Sequence, residues 1–485
     1  MSWRVAGQGA ILLMGCVGAT AAVADASSPP DPYDTAKSVP ATPAKDMFRP
    51  IEGPADCHLS MPTGTVDLLE AAEHALCANP KTRQAWTDVK LKAAQLGGAL
   101  GAYAPNISAT LRRSADHTVS DVPRQPELSS RQMMEFRDYT LNLSWKLIDF
   151  GGRDAETEYA TQALSAAQAA QDDAIQAVFA TTVRDYYAAI AALSAQDAAA
   201  GTEEDARRSL QAAKARFLGG AAAAVDEMQA QTQYAQAVFD RTKAAGDARA
   251  AQGVLAVDMG LSPNVPLQLP PIADDVPADL NMGASIDQLI EEARRMHPRT
   301  QQARALLRAA AAKVDSARAQ WRPTLSLNAR ANSNTQPVIP AVGLPSVPAS
   351  GRERFIGLQL DIPIFDGFTR SYDIRAAQAS VESQQENLRD IEQQVTLNVW
   401  SSYTTLETDF ENLRNTQVLL ESAKQSYIAS QQRYLKGVGN IIELLTAQTA
   451  LGNARQRRVQ SLADWRAARL ELSASLGRLS LLSMQ

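Results

Sequence analysis

The stretch LSWKLIDFGGRDAE (143–156) alternates apolar and polar residues, breaks at an Asp and a Gly, and becomes helical in pattern after Arg153. The stretch LDIPIFDGFTRSYD (360–373) makes the same change, and its first residue, Leu360, follows Leu143 by 217 residues. Strict alternation predicts a strand with one apolar face, and a break followed by helical periodicity predicts a helix. The chain is therefore expected to pass from strand to helix twice in the same way.

Further matched stretches indicate that the whole chain is a tandem duplication. RFLGGAAAAVDEMQAQ begins at Arg216 and RYLKGVGNIIELLTAQ at Arg433, again 217 residues apart and without a gap. Upstream the spacing is 218 residues, because NPKTRQA begins at Asn79 and HPRTQQA at His297. The duplication divides the chain into a first repeat, a second repeat and a proline-rich linker, which we place at 63–268, 284–485 and 269–283.

The distribution of proline predicts long helices in both repeats. All 24 prolines lie in 29–126 or 263–363. Because proline breaks helix interiors, the proline-free tracts predict long helices over 150–262 and 368–478. Glycines are expected to break these helices near residues 201, 219–220 and 437–439. Apolar residues in the second tract step by four and three, as in a coiled coil: Val399, Tyr403, Leu406, Phe410 and Leu413.

A β-hairpin is predicted in each repeat, between an opening helix and the long helices. The opening helices start near residues 65 and 285 and end before Pro105 and Pro323. The hairpins span 106–148 and 324–364, with polar loops at 119–135 and 335–353. Their strands carry apolar residues at every second position: Tyr139, Leu141, Leu143, Trp145 and Leu147; Leu325, Leu327, Ala329 and Ala331; Ile356, Leu358, Leu360, Ile362 and Ile364. This pattern fits the wall of a transmembrane barrel, and it fits a half-exposed sheet of a soluble domain as well.

The number of strands predicts an oligomer if the sheet lies in a membrane. A membrane barrel needs at least eight strands and must close, because lipid cannot satisfy a free backbone edge. The chain supplies only four strands, so that two copies would give eight and three would give twelve. Helices of about 50–60 residues would span roughly 75–90 Å, far beyond a hydrocarbon layer about 30 Å thick.

The N-terminus and the net charge bound the location and the partners. Residues 1–24 carry Arg4, an apolar core and an A-x-A sequence at their end, which predicts a cleaved secretory signal peptide. An alternative is a lipoprotein signal, in which Cys16 is lipidated. The Pro/Ala-rich leader at 25–62 is expected to be extended or disordered. A formal net charge of −6 argues against a nucleic-acid partner.

The sequence offers no catalytic or cofactor motif. Its four histidines are far apart, and neither a nucleophile elbow nor a phosphate-binding loop with lysine is present. We therefore expect no enzyme activity, no cofactor and no metal. Cys57 and Cys77 would reach an oxidising compartment, which favours a disulfide over two free thiols.

Taken together, several stretches resemble the TolC family of outer-membrane channel proteins. They are the helix opening ALCANP, the turns YAPNISATL, WRPTLSLNA, LIDFGGR and IFDGFTR, the breaks RFLGG and RYLKGVGNIIELL, and the terminal ASLGRLSLL. The resemblance implies a mixed α/β membrane protein. Three copies would form a homotrimer with a twelve-strand outer-membrane β-barrel, continued by a long coiled α-helical barrel in the periplasm.

The resemblance also implies partners and a function. A periplasmic adaptor (membrane fusion) protein would link the channel to an inner-membrane ABC transporter or another pump. The spacing of Cys57 and Cys77 and the short C-terminus are most similar to the type I secretion branch, which exports adenylate cyclase toxin and haemolysin. A multidrug efflux channel is the first alternative, and a periplasmic coiled-coil adaptor or scaffold is the alternative that is not a channel.

Three residues fall where the family places its channel gate. Asp226 and Tyr434 match linking residues, and Glu443 matches an acidic ring, where three carboxylates would repel one another and favour cations. The sequence departs from the family at Val225, Gly439 and Thr446, which replace a Thr, an Arg and an acid. These departures predict a more weakly held gate with a single carboxylate ring. Solvated positions on a helical hairpin are the alternative for Asp226 and Glu443.

Six residues at the two strand-to-helix turns are expected to be structural. Aspartate can cap a helix by accepting backbone N–H bonds, and glycine permits the positive φ of a sharp turn. An arginine follows each aspartate by four residues. The set comprises Asp149, Gly151, Arg153, Asp366, Gly367 and Arg370.

Overall fold

The computed structural model describes residues 29–43, 57, 64–272, 285–335, 338, 347 and 349–477. The predicted signal peptide with Cys16, most of the linker and most of the loop at 335–353 lie outside the described residues. The described chain is built mainly from helices, with one four-stranded antiparallel sheet.

Four long helices occupy the proline-free tracts. Helix α3 (Gly152–Leu218) and helix α7 (Thr369–Leu435) have 67 residues each, and α4 (Ala224–Asp258) and α8 (Ile441–Ser475) have 35 each. The equal lengths agree with the duplication. The expected coiled-coil residues Val399, Leu406, Phe410 and Leu413 are buried in one core cluster between α7 and α8, and Tyr403 packs against it. Among the described residues, no helix combines the length and the hydropathy needed to cross a membrane.

The predicted break near Gly201 is wrong, because α3 continues through this residue. A glycine costs only about 1 kcal/mol in a helix interior, which the packing of a long helix readily offsets. A Cβ placed at Gly201 would lie 3.5 Å from Nη1 of Arg455, so α8 approaches this glycine closely. The other two expected breaks are present, as turns at 219–223 and 436–440.

Each opening helix is divided in two, whereas one continuous helix was expected. The pieces are α1 (Leu68–Ala78), α2 (Pro80–Gly101), α5 (Ile286–Met296) and α6 (Pro298–Ala319). Proline disfavours helical geometry in the residue before it, which separates each pair. The residue before proline then caps the second helix. Asn79 accepts a hydrogen bond from the backbone of Lys81 at 2.9 Å, and His297 Nδ1 accepts one from Arg299 at 3.2 Å. Burial, and then the charge of Arg299, lower the pKa of His297 to about 4, which keeps Nδ1 free to accept.

The sheet places all its apolar residues on one face. Its strands are β1 (Asn106–Ser120), β2 (Ser130–Ile148), β3 (Thr324–Thr335) and β4 (Ser350–Asp361), in the order β1-β2-β3-β4. The register pairs Ala109 with Leu141, Leu141 with Ala331, and Leu327 with Leu358. The prediction of four amphipathic strands is confirmed. Strand β4 ends earlier than expected, so Ile362 and Ile364 lie in the turn that leads to α7.

The described part of the leader is packed against α2 and α3, so the expectation of an extended or disordered segment is wrong for 29–43. It contains a 3₁₀-helix (Thr35–Ser38) in which Thr35 is buried. Trp86 Nε1 donates a hydrogen bond to the Pro40 carbonyl at 2.8 Å, and Gln168 Nε2 donates one to the Ser38 carbonyl at 2.9 Å. These bonds satisfy leader carbonyls in a segment whose prolines lack donors of their own.

Candidate functional site

Both strand-to-helix turns use the same aspartate–arginine pair. In the first turn, Asp149 Oδ2 accepts from the Arg153 backbone at 2.9 Å and from its Nε at 3.1 Å. The guanidinium of Arg153 also donates to the carbonyls of Lys146 and Leu147, and it lies 4.7 Å from the ring centroid of Tyr103. One arginine thus joins the end of β2, the start of α3 and the turn that follows α2.

The second turn repeats this arrangement with an aromatic residue from the equivalent position. Asp366 accepts from the backbone and from Nε of Arg370, whose guanidinium lies 4.7 Å from the ring centroid of Trp321. Two consecutive residues have positive φ in each turn: Phe150 and Gly151 in the first, and Gly367 and Phe368 in the second. The glycine and the phenylalanine exchange places between the repeats.

The residues expected at the gate flank the turns at 219–223 and 436–440. Tyr434 ends α7 as a buried side chain with 1% of its surface exposed. The guanidinium of Arg216 lies 4.7 Å from its ring centroid, and Nη1 of Arg216 donates to the carbonyl of Tyr434. Nη2 of the same arginine donates to the Ala221 carbonyl at 3.2 Å. Arg216 therefore links the end of α3 to the end of α7.

Asp226 acts on Tyr434 through its charge. Burial raises the pKa of Tyr434, the guanidinium of Arg216 opposes that rise, and the carboxylate of Asp226 adds to it. The buried hydroxyl of Tyr434 has no hydrogen-bond partner within the described part of the chain. The structure thus brings Asp226 and Tyr434 into electrostatic range without a hydrogen bond to this hydroxyl.

Glu443 lies in the first turn of α8, where its environment is well defined. Asn440 caps the helix by accepting from the Glu443 backbone at 2.7 Å. The carboxylate Oε1 of Glu443 lies 3.3 Å from Nε of Arg433, which belongs to the end of α7. Both side chains are substantially exposed, so this ion pair contributes at most about 1 kcal/mol to stability.

The gate region and the two repeats correspond to a known protein family. A family model described as outer membrane efflux protein matches residues 71–260 and 289–478. The chain belongs to the outer membrane efflux protein family. Protein CyaE of Bordetella pertussis is 33% identical over 423 residues, which cover 85% of this chain and 84% of CyaE.

Two further comparisons agree with this family. The outer membrane protein TolC of Escherichia coli K12 is 25% identical over 125 residues, or 26% of this chain and 25% of TolC. The outer membrane channel CmeC of Campylobacter jejuni has the same fold, with a TM-score of 0.70 at 17% identity. That match covers 89% of this chain and 94% of CmeC.

This outer membrane efflux protein contains two arginines near the gate that were not assigned from the sequence. They are Arg216 and Arg433, which occupy equivalent positions in the two repeats and contact Tyr434 and Glu443. The identical residue at both ends of the 217-residue offset was the available signal. Gly439 has a packing reason as well. A Cβ there would lie 3.0 Å from Cβ of Arg433 and 3.1 Å from the Tyr434 nitrogen, which leaves little room for an arginine.

The remaining predicted residues lie away from the gate. Cys57 and Cys77 are joined in a disulfide, with their Cα atoms 5.5 Å apart, and this bond ties the leader to the end of α1. Within the described ranges, no three His, Cys, Asp or Glu side chains are grouped as metal ligands would be.

Proposed function

We propose that three copies of this chain form an outer-membrane channel that passes a protein substrate from an inner-membrane ABC transporter to the exterior. The sheet carries the argument. Its apolar face is exposed along all four strands, for example at Leu111, Leu141 and Leu358. Its edges, β1 and β4, have no neighbouring strand among the described residues. An exposed apolar face with two open edges fits a segment of a larger closed barrel in lipid.

The helices support a conduit that continues beyond the membrane. At 1.5 Å per residue, the 67 residues of α3 span about 100 Å, and α7 runs beside it with the same length. The strands and the long helices meet at the two aspartate–arginine turns. A twelve-strand barrel from three copies would therefore continue directly into a helical barrel in the periplasm.

The choice of cargo divides the two channel functions. The resemblance of the sequence to the type I secretion branch and the extensive match to protein CyaE favour protein export. The description of the matching family and the shorter match to TolC keep small-molecule efflux as the second candidate. In either case, the channel would dock on a periplasmic adaptor, and the adaptor on an inner-membrane pump that supplies the energy.

The first experiment compares proteins in the culture medium of cells with and without this gene. We expect one large polypeptide to disappear from the medium and to accumulate inside the cells that lack the gene. An unchanged medium together with increased sensitivity to small toxic compounds would replace secretion by efflux. A soluble monomer in the periplasm, instead of heat-sensitive trimers in outer-membrane extracts, would contradict any channel function.

Replacing Glu443 with alanine is expected to lower the cation selectivity of the channel in a planar bilayer. The change removes one negative charge per copy and leaves the guanidinium of Arg433 without its partner, so the narrow end becomes less attractive to cations. Glu411→Ala is the matched control, because Glu411 forms a similarly exposed pair with Arg414 within α7 at 3.4 Å. Selectivity that stays the same in both variants would remove Glu443 from the gate.

A further inference from the structure

We propose that neighbouring copies contact each other through the same residue positions, in the same register, by which the two repeats contact each other within one chain. This inference rests on the proposed trimer and adds the contacts that hold it together. Inside the chain, α8 of the second repeat packs against α3 of the first. Because α4 is the repeat equivalent of α8, and α7 of α3, the equivalent contact places α4 of one copy on α7 of the next.

The exposed surface of α7 is consistent with such a neighbour. Trp400 is 52% exposed, whereas its repeat equivalent on α3, Val183, is fully buried at 0%. Leu397 and Val418 are also exposed on α7, and Val254 is exposed on α4. An apolar face that is covered in one repeat is therefore uncovered in the other, and a second copy provides the element that covers it.

The first specific contact lies in the helical region. Within the chain, the hydroxyl of Ser209 on α3 donates to Oε1 of Gln448 on α8 at 3.0 Å, and this bond is buried. Adding 217 to Ser209 gives Ser426, and subtracting 217 from Gln448 gives Gln231. Both equivalents keep the residue type, and both are exposed. A serine and a glutamine retained in both repeats point to the same hydrogen bond between copies.

The second contact involves the shorter helices. Within the chain, Nε of Arg299 on α6 lies 3.7 Å from Oδ2 of Asp173 on α3. With the offset of 218 for the opening helices, Arg299 corresponds to Lys81, and Asp173 corresponds to Asp390 on α7. The signs of both charges are retained. Since α6 bridges α3 and α7 within the chain, α2 would bridge α3 of its own copy and α7 of the neighbour.

The third contact lies at the edges of the sheet. Within the chain, Nε of Arg330 on β3 donates to the side-chain oxygen of Asn142 on β2 at 3.1 Å. The equivalents are Arg112 on the edge strand β1 and Gln359 on the edge strand β4, which again supply a guanidinium and a carboxamide. This register would pair β4 of one copy with β1 of the next, and so close the barrel without a free edge.

Not every contact between the repeats is retained, and the difference is informative. Arg455 and Asp205 form an ion pair at 3.0 Å between α8 and α3. Their equivalents, Val238 and Ser422, cannot form one. Ser422 lies on the same face of α7 as Ser426 but one turn away, about 5.4 Å along the helix axis. It therefore provides a register control for the first contact.

The test is cross-linking of the full chain in outer membranes. The variant Ser209→Cys/Gln448→Cys first identifies a bifunctional thiol reagent of the length that joins the in-chain pair. With that reagent, Gln231→Cys/Ser426→Cys is expected to yield covalent trimers, because each copy carries both halves of the contact. The register control Gln231→Cys/Ser422→Cys is expected to lose this product, and the native thiols remain protected in their disulfide.

The outcomes separate this inference from the proposed function. Non-covalent trimers without cross-linking of the Gln231–Ser426 variant, or with equal cross-linking of the register control, would overturn the register but leave the channel intact. Absence of trimers in the unmodified protein would overturn both. Lys81→Glu gives a second measurement, for it should lower the temperature at which trimers dissociate, and adding Asp390→Lys should restore it. Failure of that rescue would contradict the second contact.

Discussion

Replacing Leu141 with arginine is expected to remove the protein from the outer membrane as an assembled trimer. Leu141 lies on the apolar face of the central strand β2 and is 51% exposed within one chain. If that face meets lipid, an arginine near the middle of the bilayer costs about 2–4 kcal/mol in each copy. Three copies would bear this cost together. The measurement is the amount of trimer in outer-membrane fractions, separated without heating.

The matched control for Leu141→Arg is Ser144→Arg on the same strand. Ser144 lies on the opposite face, beside Asn142 and Lys146, which would line the water-filled interior of the barrel. We expect trimers of this variant to assemble normally. If the two arginine variants assemble equally well, the apolar face does not meet lipid, and the sheet would belong to a soluble domain. The comparison therefore tests the alternative that alternation in the sequence leaves open.

Much of the fold was predictable because it depends on local periodicity. Alternation along β2 and β4 placed the strands, since each residue pair of a strand contributes to one face or the other. The absence of proline after 126 and after 363 placed the long helices. The errors arose where tertiary packing overrides a local signal. Gly201 did not break α3 because α8 supports the helix there, and Pro80 divided an opening helix that has continuous periodicity.

The candidate gate was predictable in position but not in its contacts. Resemblance located Asp226, Tyr434 and Glu443 near the two turns, and the structure places them there. The stacking of Arg216 on Tyr434 depends on how the end of α3 lies beside the end of α7, which no local pattern reports. The same reason applies to the leader at 29–43. Its composition favours disorder, yet hydrogen bonds from α2 and α3 hold it in place.

Replacing both Cys57 and Cys77 with serine is expected to release the leader and to lower the stability of the periplasmic part. The bond joins residues 20 positions apart, and closing a loop of this size contributes about 3 kcal/mol, mainly by restricting the unfolded chain. Both cysteines also pack against a core cluster that contains Leu76, Ile175 and Phe179. The double variant should unfold at a lower temperature, and protease should cleave its leader before it cleaves the long helices.

Reduction of the unmodified protein supplies the matched comparison for this variant. If the disulfide is responsible, a thiol reductant should lower the unfolding temperature of the unmodified protein to that of Cys57→Ser/Cys77→Ser and leave the double variant unchanged. The hydrogen bonds from Trp86 and Gln168 are present in both forms, so any residual protection of 29–43 measures their contribution. Equal unfolding temperatures and equal protease resistance in all four samples would show that these bonds hold the leader without the disulfide. The leader would then be an independent part of the α2–α3 packing, and its tether to α1 would serve no structural purpose.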